Sequence, residues 1–454
     1  MSSDENSMDK GASSSHKKDM AKTSGEATEN GFIPPGQLQG SQDSASAVTM
    51  QGYEVYPYRW VILSLFMLVV AVNQLLWITF APITSVAAEF YKVSDFLIGL
   101  LSMSFMIVYI VVSIPASWVI DTYGIRIGVG IGVALTGIFG LLRGWVNGSY
   151  TLVLVAQIGI AVGQPFILNA ITKLAARWFP IHERATASGI GTLAMYLGII
   201  AGMIITPFLV IQSGMTGMLA LYGIIAFVSA VLFFSLIKER PKTPPCPPDQ
   251  EERLLVVEGL RNTLRKSNFI WLMIIFFIGL GIFNSVTTWI ENILKPREFS
   301  VTQAGICGGI MIAGGILGAL ILPILSDRYR KRIPFIILAL AGTILGLAGI
   351  TFAGQYWLLI VSSFAMGFFL LSAGPIGFQY GAEIAFPASE GMSNGLLLLM
   401  GQISGILFIV GMDAFKSPVN GSMTLPLIIL LVLMFLGFLF SLRLKESGLL
   451  TSGK

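Results

Sequence analysis

"SWVIDTYGIR" occupies residues 117–126, and "PILSDRYRKR" occupies residues 323–332. Each follows an apolar run, and each sets an aspartate a few positions ahead of bases: Asp121 before Arg126, Asp327 before Arg328, Arg330 and Arg332. The two aspartates lie 206 residues apart in a chain of 454. An element that recurs at nearly half the chain length predicts an architecture built twice. What is repeated becomes clear on reading outward from each copy.

Both copies are embedded in apolar sequence. Apolar residues make up 54% of the chain and charged residues 11%, and the mean hydropathy is +0.79. A soluble domain carries about 25% charged residues. Twelve apolar spans follow, at about 59–82, 95–117, 127–146, 150–174, 184–211 and 217–237, then 268–292, 302–326, 333–353, 357–383, 391–413 and 423–443. A helix of ~20 residues, rising ~1.5 Å per residue, crosses a ~30 Å hydrocarbon core. The quoted loops then come after the second span of each six. This predicts an all-α membrane protein with twelve transmembrane helices in two six-helix bundles, residues 59–237 and 268–443.

The remaining segments are hydrophilic. Residues 1–55 carry no apolar run of signal-peptide type and read as a disordered cytoplasmic tail. Residues 238–267 form a linker that opens with "KERPKTPPCPPD". Leu254, Val257, Leu260 and Leu264 then recur at roughly helical spacing, as in an amphipathic helix on the membrane surface or a solvated linker helix. Residues 444–454 form a second cytoplasmic tail. With both termini inside, the inner side outside the N-terminal tail holds nineteen Lys and Arg, and the outer side holds five. That asymmetry places both ends in the cytoplasm, and the plasma membrane is the default location. Asn147 and Asn420 match the glycosylation pattern in outer loops, but those loops are short and favour no modification. Two cysteines, Cys246 and Cys307, give neither a disulfide framework nor metal-ligand spacing.

An acid, a turn and a base at the cytoplasmic end of a helix suit a gate whose charges pair when that side closes and part when it opens. The plainer reading is a set of membrane-edge charges obeying the charge asymmetry. Recurrence in both halves favours the gate. Arg177 or Arg184 is the expected partner of Asp121. Glu383, at the end of the tenth span, is expected to meet Arg328 or Arg330. Glu390, in or before the first turn of the eleventh span, suits the helix dipole.

The first loop resembles the G-x-x-x-D-(R/K)-x-G-x-(R/K) hallmark of the major facilitator superfamily, with Ser117 for the first Gly and Thr122 for the first base. The second copy has Pro323 for the first Gly and Arg330 for the second. Four further segments carry a narrower resemblance: "NQLLWITFAPI" (73–83), "GQPFILNAITKLAARWFP" (163–180), "FNSVTTWIENIL" (283–294), and "GAEIAFPASEGMSNGLL" with "GQISGILF" in the tenth and eleventh spans. Together these look like the feline leukaemia virus subgroup C receptor family of facilitators, associated with choline and ethanolamine transport and earlier with haem export. The resemblance implies that Trp77, Gln164 and Gln402 match ligand-contacting positions, and that the protein is a monomer.

The residues support a similar reading independently. None of the 24 acidic residues falls near the middle of a span. Arg143, near the outer end of the third, is the one base that reaches inside. The two histidines, His16 and His182, lie in the tail and an inner loop. A proton-coupled carrier usually displays a titratable group inside the membrane, so facilitated diffusion is expected. The polar groups at depth are neutral: Asn73, Gln74, Trp77, Gln164, Asn169, Asn284 and Gln402. An aromatic face with amides suits a small organic cation bearing a hydroxyl, held by cation–π attraction. The site expectation is therefore Trp77, Gln164, Gln402, Asn284 and Asn73, although Asn and Gln also hydrogen-bond between helices, and a Trp late in a span can be an interface anchor. The glycines of "GICGGIMIAGGILGAL" (305–320) are expected to let helices approach and slide.

The alternatives are a coupled transporter of an anion, drug or haem, and a non-transporting receptor or scaffold. Haem usually takes a His, Cys, Met or Tyr ligand, and no intramembrane His is present. Nothing in the sequence points to catalysis, a metal, a cofactor or a nucleic-acid partner. The expected partners are a small solute and the bilayer.

Overall fold

Apolar runs become helix because a chain in lipid must satisfy its N–H and C=O groups within itself. The computed structural model describes residues 55–243, 245, 263–386 and 390–446, and among these every regular element is helical. The first half holds α1 (Tyr58–Ile78), a 3₁₀ turn (Ala81–Ile83), α2 (Thr84–Tyr91), α3 (Asp95–Tyr123), α4 (Ile125–Trp145), α5 (Tyr150–Leu168), α6 (Ile171–Trp178) and α7 (Ile181–Leu236). The second holds α8 (Ser267–Thr288), α9 (Ile290–Leu294), a 3₁₀ turn (Lys295–Arg297), α10 (Val301–Tyr329), α11 (Ile333–Phe352), α12 (Tyr356–Ala385), α13 (Glu390–Ala414) and α14 (Thr424–Ser441). The expected surface helix around Leu254, Val257 and Leu260 lies outside the described residues, as do Cys246 and the side chain of Glu390.

Eleven of these helices are long and apolar enough to cross a membrane. The twelfth pass is hidden in α7, whose 56 residues turn at Gly214, where φ is 68°. Only glycine adopts that backbone at little cost. Thr206 and Tyr222, eight residues to either side, share a hydrogen bond of 2.8 Å between their hydroxyls. In a straight helix they would be ~24 Å apart. The fifth and sixth crossings are thus one hairpin, and the chain forms two six-helix bundles.

The repeat seen in sequence extends into helix capping. Ser94 accepts from Leu97 N at the start of α3, and Ser300 accepts from Gln303 N in a capping box at the start of α10. Both helices are 29 residues long. The glycines of α10 divide between two faces. Gly305 and Gly308 meet Met203, and Gly309 meets Ile204, all on α7 of the other half; Gly314, Gly315 and Gly318 meet Phe364, Leu371 and Phe368 of α12. At Gly305 an added Cβ would strike the Met203 carbonyl, so the halves approach there at backbone distance.

We call the end of the bundles carrying Tyr58 and Ser441 the terminal end, and the opposite end, carrying Tyr91 and Asp95, the far end.

Candidate functional site

Trp77 lies in the last turn of α1 and is buried. Its Nε1 donates to Ser102 O of α3 at 3.1 Å, which fixes the plane of the indole. One helical turn along α3, the sulfur of Met106 sits over Gly405 of α13, beside the Asn284 amide of α8. Asn284 Nδ2 donates to Gly401 O at 3.1 Å, next to Gln402. The helix α3 therefore meets Trp77 of its own bundle at Ser102 and, one turn on at Met106, the Asn284 amide and Gly405 of the other. Gln402 is half-buried, and Gln164 is buried on α5 just before Pro165. Asn73 departs from the expected site. It is wholly buried, and its Nδ2 donates to Thr136 of α4 at 3.1 Å, so it joins two helices of one bundle. Asn169 likewise holds α5 to α3, accepting from Tyr109 and donating to Ser113 and Ser117.

At the terminal end the charges recur in pairs. Glu239, just beyond α7, accepts from the N–H groups of Ile125 and Arg126 at 3.1 and 2.6 Å and pairs with Arg177. Glu446, just beyond α14, accepts from the N–H groups of Arg332 and Ile333, both at 3.0 Å. Each carboxylate occupies the N-terminus of the third crossing of its bundle, where unpaired N–H groups and the helix dipole favour an anion. Gly124 makes the preceding turn in the first half, with φ at 90°.

The expected pairings are corrected here. Asp121 meets Lys173 at 3.1 Å, where Arg177 or Arg184 was expected. Arg177 goes to Glu239 instead, and Arg184 Nε donates to Phe179 O. Glu383 meets Arg332 at 3.1 Å, where Arg328 or Arg330 was expected. Arg328 closes the last turn of α10, and Arg330 is its left-handed cap, so both are spent on ending that helix in solvent. Arg332 is buried and also pairs with Asp327. Burial works against its charge, but Asp327 and Glu383 outweigh it and hold its pKa above the ordinary arginine value. Every one of these pairs lies within one bundle, as did the pairs expected from the sequence.

The bridges lie at the far end. Asp95 of α3 accepts from Lys416 Nζ at 2.5 Å and from Asn292 Nδ2 at 2.8 Å. Glu291 of α9 accepts from Ser85 N at 2.9 Å and Ser85 Oγ at 2.6 Å, capping α2 from the other bundle. The ring of Trp289 lies against Gly99, and its Nε1 donates to Ile409 O. The Ser85–Glu291 and Asn292–Asp95 hydrogen bonds and the Lys416–Asp95 ion pair thus join the bundles at this end. Sequence reasoning missed this set. Its one signal was the presence of Asp95, Glu291 and Asp413 at outer span ends with Lys416 nearby.

The model of the Major Facilitator Superfamily matches residues 66–409. The chain belongs to the major facilitator superfamily. Solute carrier family 49 member A3 of Xenopus tropicalis is 32% identical over 87% of this chain and 85% of its own length. The choline/ethanolamine transporter FLVCR1 of Mus musculus is 30% identical over 86% and 75%. In fold, the chain is similar to a bacterial homologue of the human lysosomal transporter Spinster solved in an inward-facing, unoccupied conformation, with a TM-score of 0.71, 16% identity, and coverage of 86% of this chain and 98% of that one. This superfamily member is thus a multi-pass membrane transporter of a small solute.

Proposed function

We propose that this chain carries a small organic cation of the choline or ethanolamine type by alternating-access facilitated diffusion, with the terminal end in the cytoplasm. The observation that carries the reading is the line from Trp77 through Ser102 and Met106 to Asn284. It offers a fixed aromatic ring in one bundle and an amide in the other, and the groups along it are uncharged. A cation over an indole gains ~0.5–2 kcal/mol, more when desolvated, while a hydroxyl needs an amide. With no carboxylate in the line, the solute can leave again. The choline/ethanolamine transporter at 30% identity supports the same class of solute. The far-end bridges are those of a carrier closed outward, and the terminal-end charges stiffen each bundle as it rocks.

The test is uptake of labelled choline and ethanolamine into vesicles holding the purified protein, with binding to variants alongside. Trp77→Ala is expected to weaken choline binding about tenfold, and Trp77→Phe to retain part of it. Gln164→Ala and Gln402→Ala are expected to affect choline more than an analogue lacking the hydroxyl. Collapsing a proton gradient at constant membrane potential is expected to leave initial uptake unchanged. Uptake no faster than in protein-free vesicles, or binding indifferent to Trp77→Ala, would remove the organic cation from this reading.

A further inference from the structure

Arg143 has no part in the scheme above. It lies on α4 inside the first bundle, with none of its surface exposed, and no carboxylate pairs with it among the described residues. An ionic group at such depth is costly and calls for a function. Its contacts converge on one stretch of chain. Nη1 donates to Leu76 O at 3.0 Å and to Gln157 Oε1 at 2.6 Å, and Nη2 donates to Thr79 Oγ1 at 3.4 Å. The guanidinium carbon lies 5.5 Å from the centre of the Phe80 ring. Gln157 of α5 turns its own Nε2 to the same Leu76 carbonyl at 3.2 Å. Apart from Gln157, every partner belongs to residues 76–80, where α1 ends.

That end is unusual for a membrane helix because α1 stops at Ile78 within the bundle, ahead of Pro82. A proline offers no N–H to the carbonyl four residues before it. The last carbonyls of a helix lack partners and carry its negative dipole end. At the surface, water would satisfy them. Here Thr79 Oγ1 donates to Leu75 O at 2.8 Å, and the next carbonyl along, that of Leu76, is taken by Arg143 and Gln157. A guanidinium supplies several donors in one plane and a charge of the right sign.

Trp77 is the residue caught between these attachments. The peptide before it is held by Arg143 and Gln157, and its indole N–H is held by Ser102 O. The residue cannot turn about the helix axis without breaking one of the two. We propose that Arg143 is a positioning residue for the solute site: by closing the end of α1 it presents Trp77 in a single orientation. The proposal rests on the reading that Trp77 meets the solute. It also accounts for a fixed cation in a protein that takes a cation, since the charge is directed into the carbonyl end of the helix and away from the path.

The experiment uses the full chain with 5-fluorotryptophan incorporated, the Trp77 resonance being assigned by its loss in Trp77→Phe. Arg143→Met is expected to shift or broaden that resonance. Arg143→Lys keeps the charge with fewer donors and is expected to shift it less. In labelled choline binding, Arg143→Met and Trp77→Ala are each expected to lose about tenfold, and the double variant no more than either alone. A Trp77 resonance unmoved in both Arg143 variants would overturn the proposal. So would losses that multiply in the double variant, because a residue that only stabilises the bundle acts independently of Trp77. If Trp77→Ala binds choline normally, the organic-cation reading fails, and the fluorine spectrum still decides whether Arg143 orients Trp77. Should Arg143→Met not fold, the graded shift in Arg143→Lys carries the test.

Discussion

The two ends of the molecule use the same chemistry for opposite purposes. At the terminal end, Asp121–Lys173, Glu239–Arg177 and Asp327–Arg332–Glu383 all join residues of one bundle. At the far end, Asp95–Lys416 and Glu291–Ser85 join one bundle to the other. Charges that never leave their partners can be buried and hydrogen-bonded without slowing a cycle. In the proposed cycle the far-end charges must part. The most buried of the terminal-end pairs differs from the far-end ion pair in exposure, although Asp121 and the Arg177–Glu239 pair are more exposed still and Glu291 is buried. The Arg332 and Glu383 side chains are 8% and 9% exposed, against 22% and 24% for Lys416 and Asp95. The difference is one of place: contacts within a bundle hold it rigid, and contacts between bundles are, in the proposed cycle, those that set which way the carrier faces.

The largest effect expected from breaking this contrast is in Arg332→Ala. Removing one member of a buried ion pair leaves an uncompensated charge, at a cost of ~3–5 kcal/mol. Thermal unfolding of the purified protein should fall sharply, while the balance between its two facing states stays as it was. A variant as stable as the wild type would mean that the buried pair contributes nothing.

Next in size is Lys416→Ala. The pair is partly exposed, so about 1 kcal/mol is at stake, or roughly a fivefold shift toward opening at the far end. With Cys246 and Cys307 replaced, a cysteine at the buried Thr288 can report it. An impermeant maleimide added from the far side should react several-fold faster in the Lys416→Ala background. Equal rates would place the pair outside the gate.

The smallest expected effect is a pH dependence. Burial pushes the Glu291 carboxyl above its ordinary range; its bonds with Ser85 and the charge of Lys295 pull it back, and Asp95 adds to the rise. When the far end opens, water returns the group to a normal value. The closed form then holds its proton more firmly, so acidification into the window just above the ordinary glutamate pKa favours closure. That advantage is lost as pH rises through the shifted value. The same maleimide rate should slow on acidification, after correction for the reagent's own pH profile. Glu291→Gln should abolish the dependence, and its persistence there would assign it to another group.

Much of the architecture was legible because lipid makes the rules strict. Twelve runs of the right length, with positive charge on one side of them, leave few alternatives. The hairpin at Gly214 was seen only as a gap between two spans, since a single positive-φ glycine needs no loop residues. The interruption of α1 has its cause in "TFAPI", but its consequence for Arg143 required knowing that α4 lies beside it. The partners of Asp121 and Glu383 were misassigned for a related reason. Sequence gives the loop that a base occupies, while pairing depends on which helix end each side chain serves. Arg330, for example, is taken up in capping α10. Trp77, Gln164 and Gln402 stood out as polar groups at depth, and so did Asn73. Nothing in the sequence could say that Asn73 turns toward Thr136 of its own bundle. The far-end bridges were illegible because they exist only once the halves meet.

Glu239 and Glu446, each placed on the third crossing of its own bundle from just past the sixth, have a consequence for severing the chain. Through that glutamate each bundle ties the start of its third crossing to the chain that leaves its sixth. A cut between residues 243 and 263 would leave both ties intact. Two polypeptides expressed separately from that point should each fold in the membrane, find one another through the glycine face of α10 and the far-end bridges, and transport as one.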